Sequence, residues 1–154
     1  MNLRSCYLFQ GLSQSQLAQI SAIAREQQIP EGQWLFHEDH EAKHLYMLKA
    51  GTVELVTKVE NSIEIPITVI RPKNGCVGVG ALVEPYLYSL SARCLEESSM
   101  LVIKQTELHN LMANDCEMRS IIMTNLAQKM LNRLKETRQE VKIHFMNLVR
   151  SVAF

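Results

Sequence analysis

The sequence lacks the features that would mark an exported or membrane protein. Its N-terminus has no apolar run that could serve as a signal peptide, and no stretch approaches the roughly 18 apolar residues of a membrane span. Its four cysteines are widely spaced and form no C-x-x-C pair, which is typical of reduced thiols rather than of a disulfide framework. We therefore expect a cytoplasmic protein that does not associate with membranes.

An excess of charge and a catalytic motif are also missing. Sixteen basic and sixteen acidic residues give a formal net charge of zero, which argues against direct nucleic-acid binding. Residues 129–154 carry six basic and two acidic side chains, which we interpret as the solvated face of a helix. There is no Gly-x-Ser-x-Gly elbow, no Cys–His pair at a useful spacing and no paired carboxylate on one helix face. We expect a protein that is not an enzyme.

What is present predicts one domain with an appended helix. The pattern indicates a helix over residues 8–25, opened by a capping box of Ser13 and Gln16, followed by short strands up to about residue 103. Thr106 is expected to cap a short helix. A last, long helix begins near Glu117 and contains no proline or glycine. We predict a mostly β sensor domain over residues 1–115 and a helix over residues 116–154.

A glycine-rich segment stands out at residues 75–82. Glycines let backbone N–H groups approach an anion closely, and a short helical turn that begins there presents its positive end. The segment therefore indicates a phosphate cradle. However, Glu84 is the only charged residue between Gly75 and Ala92, so this stretch supplies no cation for a phosphate.

Several motifs in order resemble the cyclic-nucleotide-binding domain of catabolite-activator and FNR-type regulators, kinase regulatory subunits and gated channels. They lie at residues 8–13, 30–36, 45–55 and 75–82. The resemblance implies a β-jelly roll (a double-stranded β-helix) with flanking helices and a long C-terminal helix. It also implies a ligand-binding cassette that contains Gly78, Val79, Gly80, Ala81, Leu82, Tyr88, Ser89 and Ser91.

The cassette departs from the family pattern at its two charged positions. Val79 stands where the family has a glutamate that binds the ribose, and Tyr88 stands where it has an arginine that neutralises the cyclic phosphate. A tyrosine can donate a hydrogen bond but brings no charge. Arg93 is interpreted as a surface arginine rather than a substitute. Because losing a bidentate arginine removes two or more decades of affinity, we expect weak or no binding of cyclic AMP or cyclic GMP.

The C-terminal helix suggests two further roles. Its apolar residues repeat in alternating steps of four and three, as in a two-stranded coiled coil, and the predicted dimer contacts are Met123, Met130, Leu134, Val141 and Leu148. The resemblance implies lid contacts at Arg133 and Thr137. Thr137 has two interpretations, an adenine contact or a position in the coiled-coil seam, and the seam is favoured.

The resulting hypothesis is a non-catalytic regulatory module that senses a small effector or a protein partner and forms a homodimer. An alternative is the sensor half of a catabolite-activator or FNR-type transcription regulator, with its DNA-binding domain outside this chain. A third is a metal or redox sensor that uses Cys76 or the histidine turn formed by His37, His40 and His44. We expect no metal and no cofactor, and a core role for Cys76.

Overall fold

The computed structural model of the protein describes residues 3–72 and 75–153, with eight strands in two antiparallel sheets. The first sheet has the order β1-β8-β3-β6 and the second the order β2-β7-β4-β5. The strands are β1 (Ala24–Ile29), β2 (Trp34–Phe36), β3 (His44–Ala50), β4 (Val53–Val59), β5 (Ile63–Ile70), β6 (Cys76–Val77), β7 (Ser91–Cys94) and β8 (Ser98–Lys104). The predicted jelly roll with flanking helices is confirmed.

Three helices flank the sheets: α1 (Gln14–Ile23), α2 (Gln105–Asn114) and α3 (Cys116–Val152). The 37 residues of α3 make it about 56 Å long at 1.5 Å per residue. Asp115 caps α3 by accepting a hydrogen bond from the Met118 amide at 2.9 Å, and it also accepts one from the Gln16 side chain at 2.9 Å. These two contacts lower the pKa of Asp115, and the second ties α1 to the α2–α3 junction.

The predicted helix over residues 8–25 is wrong at both ends. The capping box of Ser13 and Gln16 is present, but α1 begins at Gln14, after Gly11 adopts a left-handed φ of +89°. Residues 24–29 form the edge strand β1 instead, which pairs over its whole length with β8. The side chains of β1 are mostly exposed, so this strand is stabilised mainly by its backbone hydrogen bonds to β8. A hydrophobic pattern in the sequence does not reveal such bonds.

Smaller differences concern the ends of other elements. α2 begins at Gln105, so Thr106 lies inside the helix and does not cap it. The two-residue strand β6 was not predicted. Pro66 lies on the edge strand β5, opposite a register shift in β4 between Leu55 and Val56, where a residue without an N–H is tolerated.

The core has two layers. One packs the first sheet against the helices and includes Phe9, Ile20, Leu45, Ile103 and Ile122. The other fills the space between the two sheets and includes Phe36, Tyr46, Val53, Tyr88 and Met100. Only the first third of α3 is buried, through Met118, Ile122 and Leu126. No described helix is long and apolar enough to cross a membrane.

Candidate functional site

The glycine turn begins at Gly78, whose φ of +84° lies in the left-handed region. It opens a short 3-10 turn over Val79–Leu82. A Cβ at Gly78 would lie 2.9 Å from the His44 carbonyl oxygen, and one at Gly80 would overlap the Leu87 carbonyl oxygen. Both positions therefore require glycine, one for its conformation and both for close approach of backbone.

Tyr88, which was predicted to stand at the arginine position of the cassette, makes structural contacts. Its hydroxyl donates to the His44 carbonyl at 2.9 Å and accepts from the His44 amide at 3.1 Å. Its ring stacks on Phe36 with the centroids 3.9 Å apart, and the side chain is 4% exposed. Burial raises its pKa, so the phenol stays neutral. Its only O–H donor is already in use, so Tyr88 does not replace the arginine as a phosphate donor.

The other cassette residues divide between a cavity and the core. Gly78, Val79, Gly80, Tyr88 and Ser89 line the cavity. In contrast, Ala81, Leu82 and Ser91 are buried and are not among the lining residues. The Ser91 hydroxyl accepts a hydrogen bond from the Glu38 amide at 2.8 Å, so it fixes a loop rather than facing a ligand.

The cavity has a volume of about 540 Å³ and is walled by the glycine turn, by the end of β5 and by α3. This volume lies in the usual range for a small-molecule site. Its apolar wall includes Phe36, Leu55, Val77, Val79 and Leu90. An occupant would therefore touch the cassette and α3 at the same time.

The cations that the cassette lacks reach the cavity from elsewhere. Arg71 follows β5, and Lys129 and Arg133 lie one turn apart on the same face of α3. Glu136 also lines the cavity, which leaves an excess of two positive charges. Arg133 was predicted as a lid contact. Arg71 and Lys129 were missed, although the spacing of Lys129 to Arg133 and the nearness of Arg71 to the cassette in sequence were available signals.

The predicted contacts on α3 differ in exposure. Met123 is partly buried and packs against the chain's own core, and Met130 lines the cavity. Leu134, Val141 and Leu148 are exposed, at 48%, 61% and 64%. Thr137 is exposed and is not among the residues that line the cavity. The exposed part of the predicted seam therefore begins near Met130.

Arg93 points away from the cavity, onto the outer face of the second sheet. Its guanidinium contacts the Glu54 carboxylate at 2.7 Å and the Glu64 carboxylate at 3.4 Å, and it lies 4.9 Å from the centre of the Trp34 ring. The Glu54 contact raises its pKa further. Arg93 is the surface arginine that was expected.

The metal or redox hypothesis rests on the histidine turn and on Cys76. Among the described residues, no group of three or more His, Cys, Asp or Glu side chains could hold a metal ion. The His37 and His40 rings contact each other, with 5.5 Å between centroids, and His37 also contacts Trp34. The contact with the Cys6 thiol, together with burial, raises the pKa of Cys76, so this thiol stays protonated at neutral pH.

This fold, with a cavity between a glycine turn and a long helix, defines a class of small helix-flanked jelly-roll domains. The family model described as the cyclic nucleotide-binding domain matches residues 26–115. The chain belongs to this family. The family is a cyclic nucleotide-binding and regulatory one, as the resemblance in the sequence implied.

Individual relatives agree with this assignment. A Geobacter metallireducens GS-15 protein assigned to the cyclic nucleotide-binding proteins is 30% identical, with a TM-score of 0.74, over 86% of this chain and 95% of that one. The N-terminal domain of a transcriptional regulator from Streptomyces coelicolor A3(2) is 23% identical, with a TM-score of 0.73, over 89% of this chain and 95% of that one. It shares the fold.

A channel protein is the third relative. Potassium channel KAT4 of Oryza sativa subsp. japonica is 26% identical over 112 residues, or 72% of this chain. The chain spans only 18% of the length of that curated relative. The match concerns a small part of the channel, so the activity of the whole channel is not assigned to this chain.

Proposed function

We propose that the chain is a non-catalytic, ligand-sensing module in which an occupant of the cavity repositions α3. The observation that supports this is the cavity wall itself, which combines Gly78–Gly80 of the cassette with Lys129 and Arg133 of α3. A ligand that binds one arrangement of these walls more tightly shifts the population toward it. Two copies joined through α3 would pass that shift between them.

Cyclic AMP and cyclic GMP bind weakly or not at all in this proposal. Val79 cannot bind a ribose hydroxyl, and the Tyr88 hydroxyl is engaged with His44. The cations of the cavity lie on α3 and beyond β5, outside the cassette turn that holds the phosphate in the family pattern. A cyclic phosphate docked on the turn would rely on backbone N–H groups, at a desolvation cost of several kcal/mol.

Calorimetry and thermal shift test this prediction on the full chain. A ligand at a hundred times its Kd stabilises a fold by about 2.7 kcal/mol, so a micromolar binder is easily detected. We expect no upward shift of Tm with either nucleotide at about 100 μM. A clear shift would contradict the prediction of weak nucleotide binding. Hydrogen exchange of α3 amides, measured with any ligand that does bind, tests the sensing mechanism separately.

The second candidate is the sensor part of a longer transcription regulator. The fold shared with the N-terminal domain from Streptomyces coelicolor is the observation in its favour. Both candidates use the same cavity and the same helix and differ in what α3 is joined to. Reading the gene beyond the codon for Phe154 distinguishes them, since a helix-turn-helix in frame would support the second.

A further inference from the structure

None of the three cations around the cavity forms an ion pair with a described residue, although Glu136 also lines the cavity. In the described part of the chain, the ion pairs with nitrogen and oxygen within 4.0 Å involve Lys43, Lys49 and Arg93. Arg71, Lys129 and Arg133 form none among these residues. Like charges gathered at a partly enclosed cavity repel one another unless an anion lies between them.

Two of these cations converge on one corner of the cavity. The Lys129 ammonium lies 5.4 Å from the centre of the Tyr7 ring, and the Arg133 charge acts on the same phenol. Tyr7 also lines the cavity, and burial raises its pKa, so its hydroxyl remains neutral at neutral pH. This corner therefore combines two positive charges with a phenol, and Arg71 adds a third charge elsewhere in the cavity lining.

The apolar lining of the cavity is of a different character. Phe36, Val77 and Val79 present aromatic and aliphatic surface, and Leu55 and Leu90 extend it. A small inorganic anion would leave most of the 540 Å³ unfilled, and a neutral apolar molecule would leave the charges unmatched. The charged and the apolar lining together fit a molecule that has an anionic head and an apolar body.

We propose that the cavity binds an organic anion, a carboxylate or a phosphate with an apolar body, whose charge is held by Lys129, Arg133 and Arg71 instead of by the cassette. This proposal rests on the proposed function, because it names the ligand class of the same cavity. In this proposal the charged head group of the ligand is the part that repositions α3. Lys129 and Arg133 belong to α3, so the head group contacts the moving element directly.

Three matched naphthalene compounds test the proposal on the full chain: 1-naphthyl phosphate, 1-naphthoate and the neutral 1-naphthalenemethanol. We expect at least one of the two anions to bind about tenfold or more tightly than the alcohol in titration calorimetry, since charge-assisted contacts are stronger than neutral ones. The tighter of the two anions identifies the head group. Equal affinity for all three compounds, or no binding of any at millimolar concentration, would overturn the proposal.

Charge-removing variants assign the binding to the cavity. Arg133→Gln and Lys129→Gln should each weaken the tighter anion about tenfold and leave the alcohol unchanged. Arg138→Gln, an exposed position of α3 that does not line the cavity, is the matched control and should bind like the wild type. Equal affinity in Arg133→Gln and Arg138→Gln would overturn the proposal.

The same titrations keep this proposal separate from the proposed function. If the anion binds through Lys129 and Arg133 but hydrogen exchange along α3 is unchanged, the ligand class stands and the sensing mechanism falls. If the alcohol binds as well as the anions and alters exchange along α3, the sensing mechanism stands and the ligand class falls.

Discussion

At the scale of single residues, Tyr88 has a structural role at the edge of β3. β6 pairs with β3 only at Tyr46 and Met47, so the edge of β3 is open at His44. The Tyr88 hydroxyl bonds both backbone groups of His44 and completes the ladder there. A side chain thus replaces a missing strand residue, and the polar groups remain satisfied although the tyrosine is buried.

Tyr88→Phe should therefore destabilise the fold. It leaves an amide and a carbonyl of His44 without this partner, and we expect the free energy of unfolding to fall by about 1–3 kcal/mol. Urea denaturation measures the change. Tyr86→Phe is the matched control, because the Tyr86 hydroxyl makes no hydrogen bond with the described residues, and its effect should stay below about 0.5 kcal/mol. Equal stability of Tyr88→Phe and wild type would contradict the structural role.

The His44 ring predicts a pH dependence of stability. Burial, followed by the charges of Lys104 and Lys43, lowers its pKa below the model-peptide value of 6.5. The unfolded chain therefore takes up this proton first as the pH falls. The contribution of His44 to stability is complete above about pH 6.5 and is lost as the pH falls from there through the lower folded pKa.

His44→Gln should remove this part of the pH dependence. Urea unfolding at about pH 7.5 and about pH 5.5 should show a smaller loss of stability in the variant than in the wild type. His40→Gln, at an exposed position of the same segment, is the control and should lose stability on acidification as the wild type does. A loss in His44→Gln equal to that of the wild type would show that another group carries the effect.

At the scale of elements, helices and strands that are marked by nearby residues could be predicted from the sequence. The capping box of Ser13 and Gln16 is present as expected, although the helix was predicted to begin six residues too early, and alternation identified β4 and β5. β1 was missed because it is stabilised by pairing with β8, about 75 residues later in the chain. Residues 24–28 are partly or fully exposed, so neither helical nor strand periodicity marks them.

The candidate site shows the same division between local and distant signals. The glycine turn could be located from sequence because conformation and close packing at Gly78 and Gly80 leave glycine as the residue that fits. The cations could not be found by searching the turn, because Arg71 and Lys129 reach the cavity only through the packing of β5 and α3. The cassette segment itself contains no cation, but the cavity that it lines does.

At the scale of the whole molecule, α3 extends well beyond the body it packs on. Its buried residues end at Leu126, whereas apolar side chains remain exposed from Leu131 to Val152. Leu134, Val141 and Leu148 follow coiled-coil spacing, and a second copy would bury the same residues symmetrically. Self-association through this helix remains a prediction, and it supplies the partner that would transmit a movement of α3.

Val141→Glu tests this assembly. In a symmetric dimer the substitution places two carboxylates in the apolar seam, so we expect the dimer Kd to rise at least about tenfold in sedimentation velocity. Gln139→Glu introduces the same charge at an exposed position outside the seam and should leave the Kd unchanged. Neither position contacts the cavity, so monomers of Val141→Glu should still bind the preferred naphthyl anion. A wild type that stays monomeric at every concentration, or equal dissociation in both variants, would contradict dimerisation through α3.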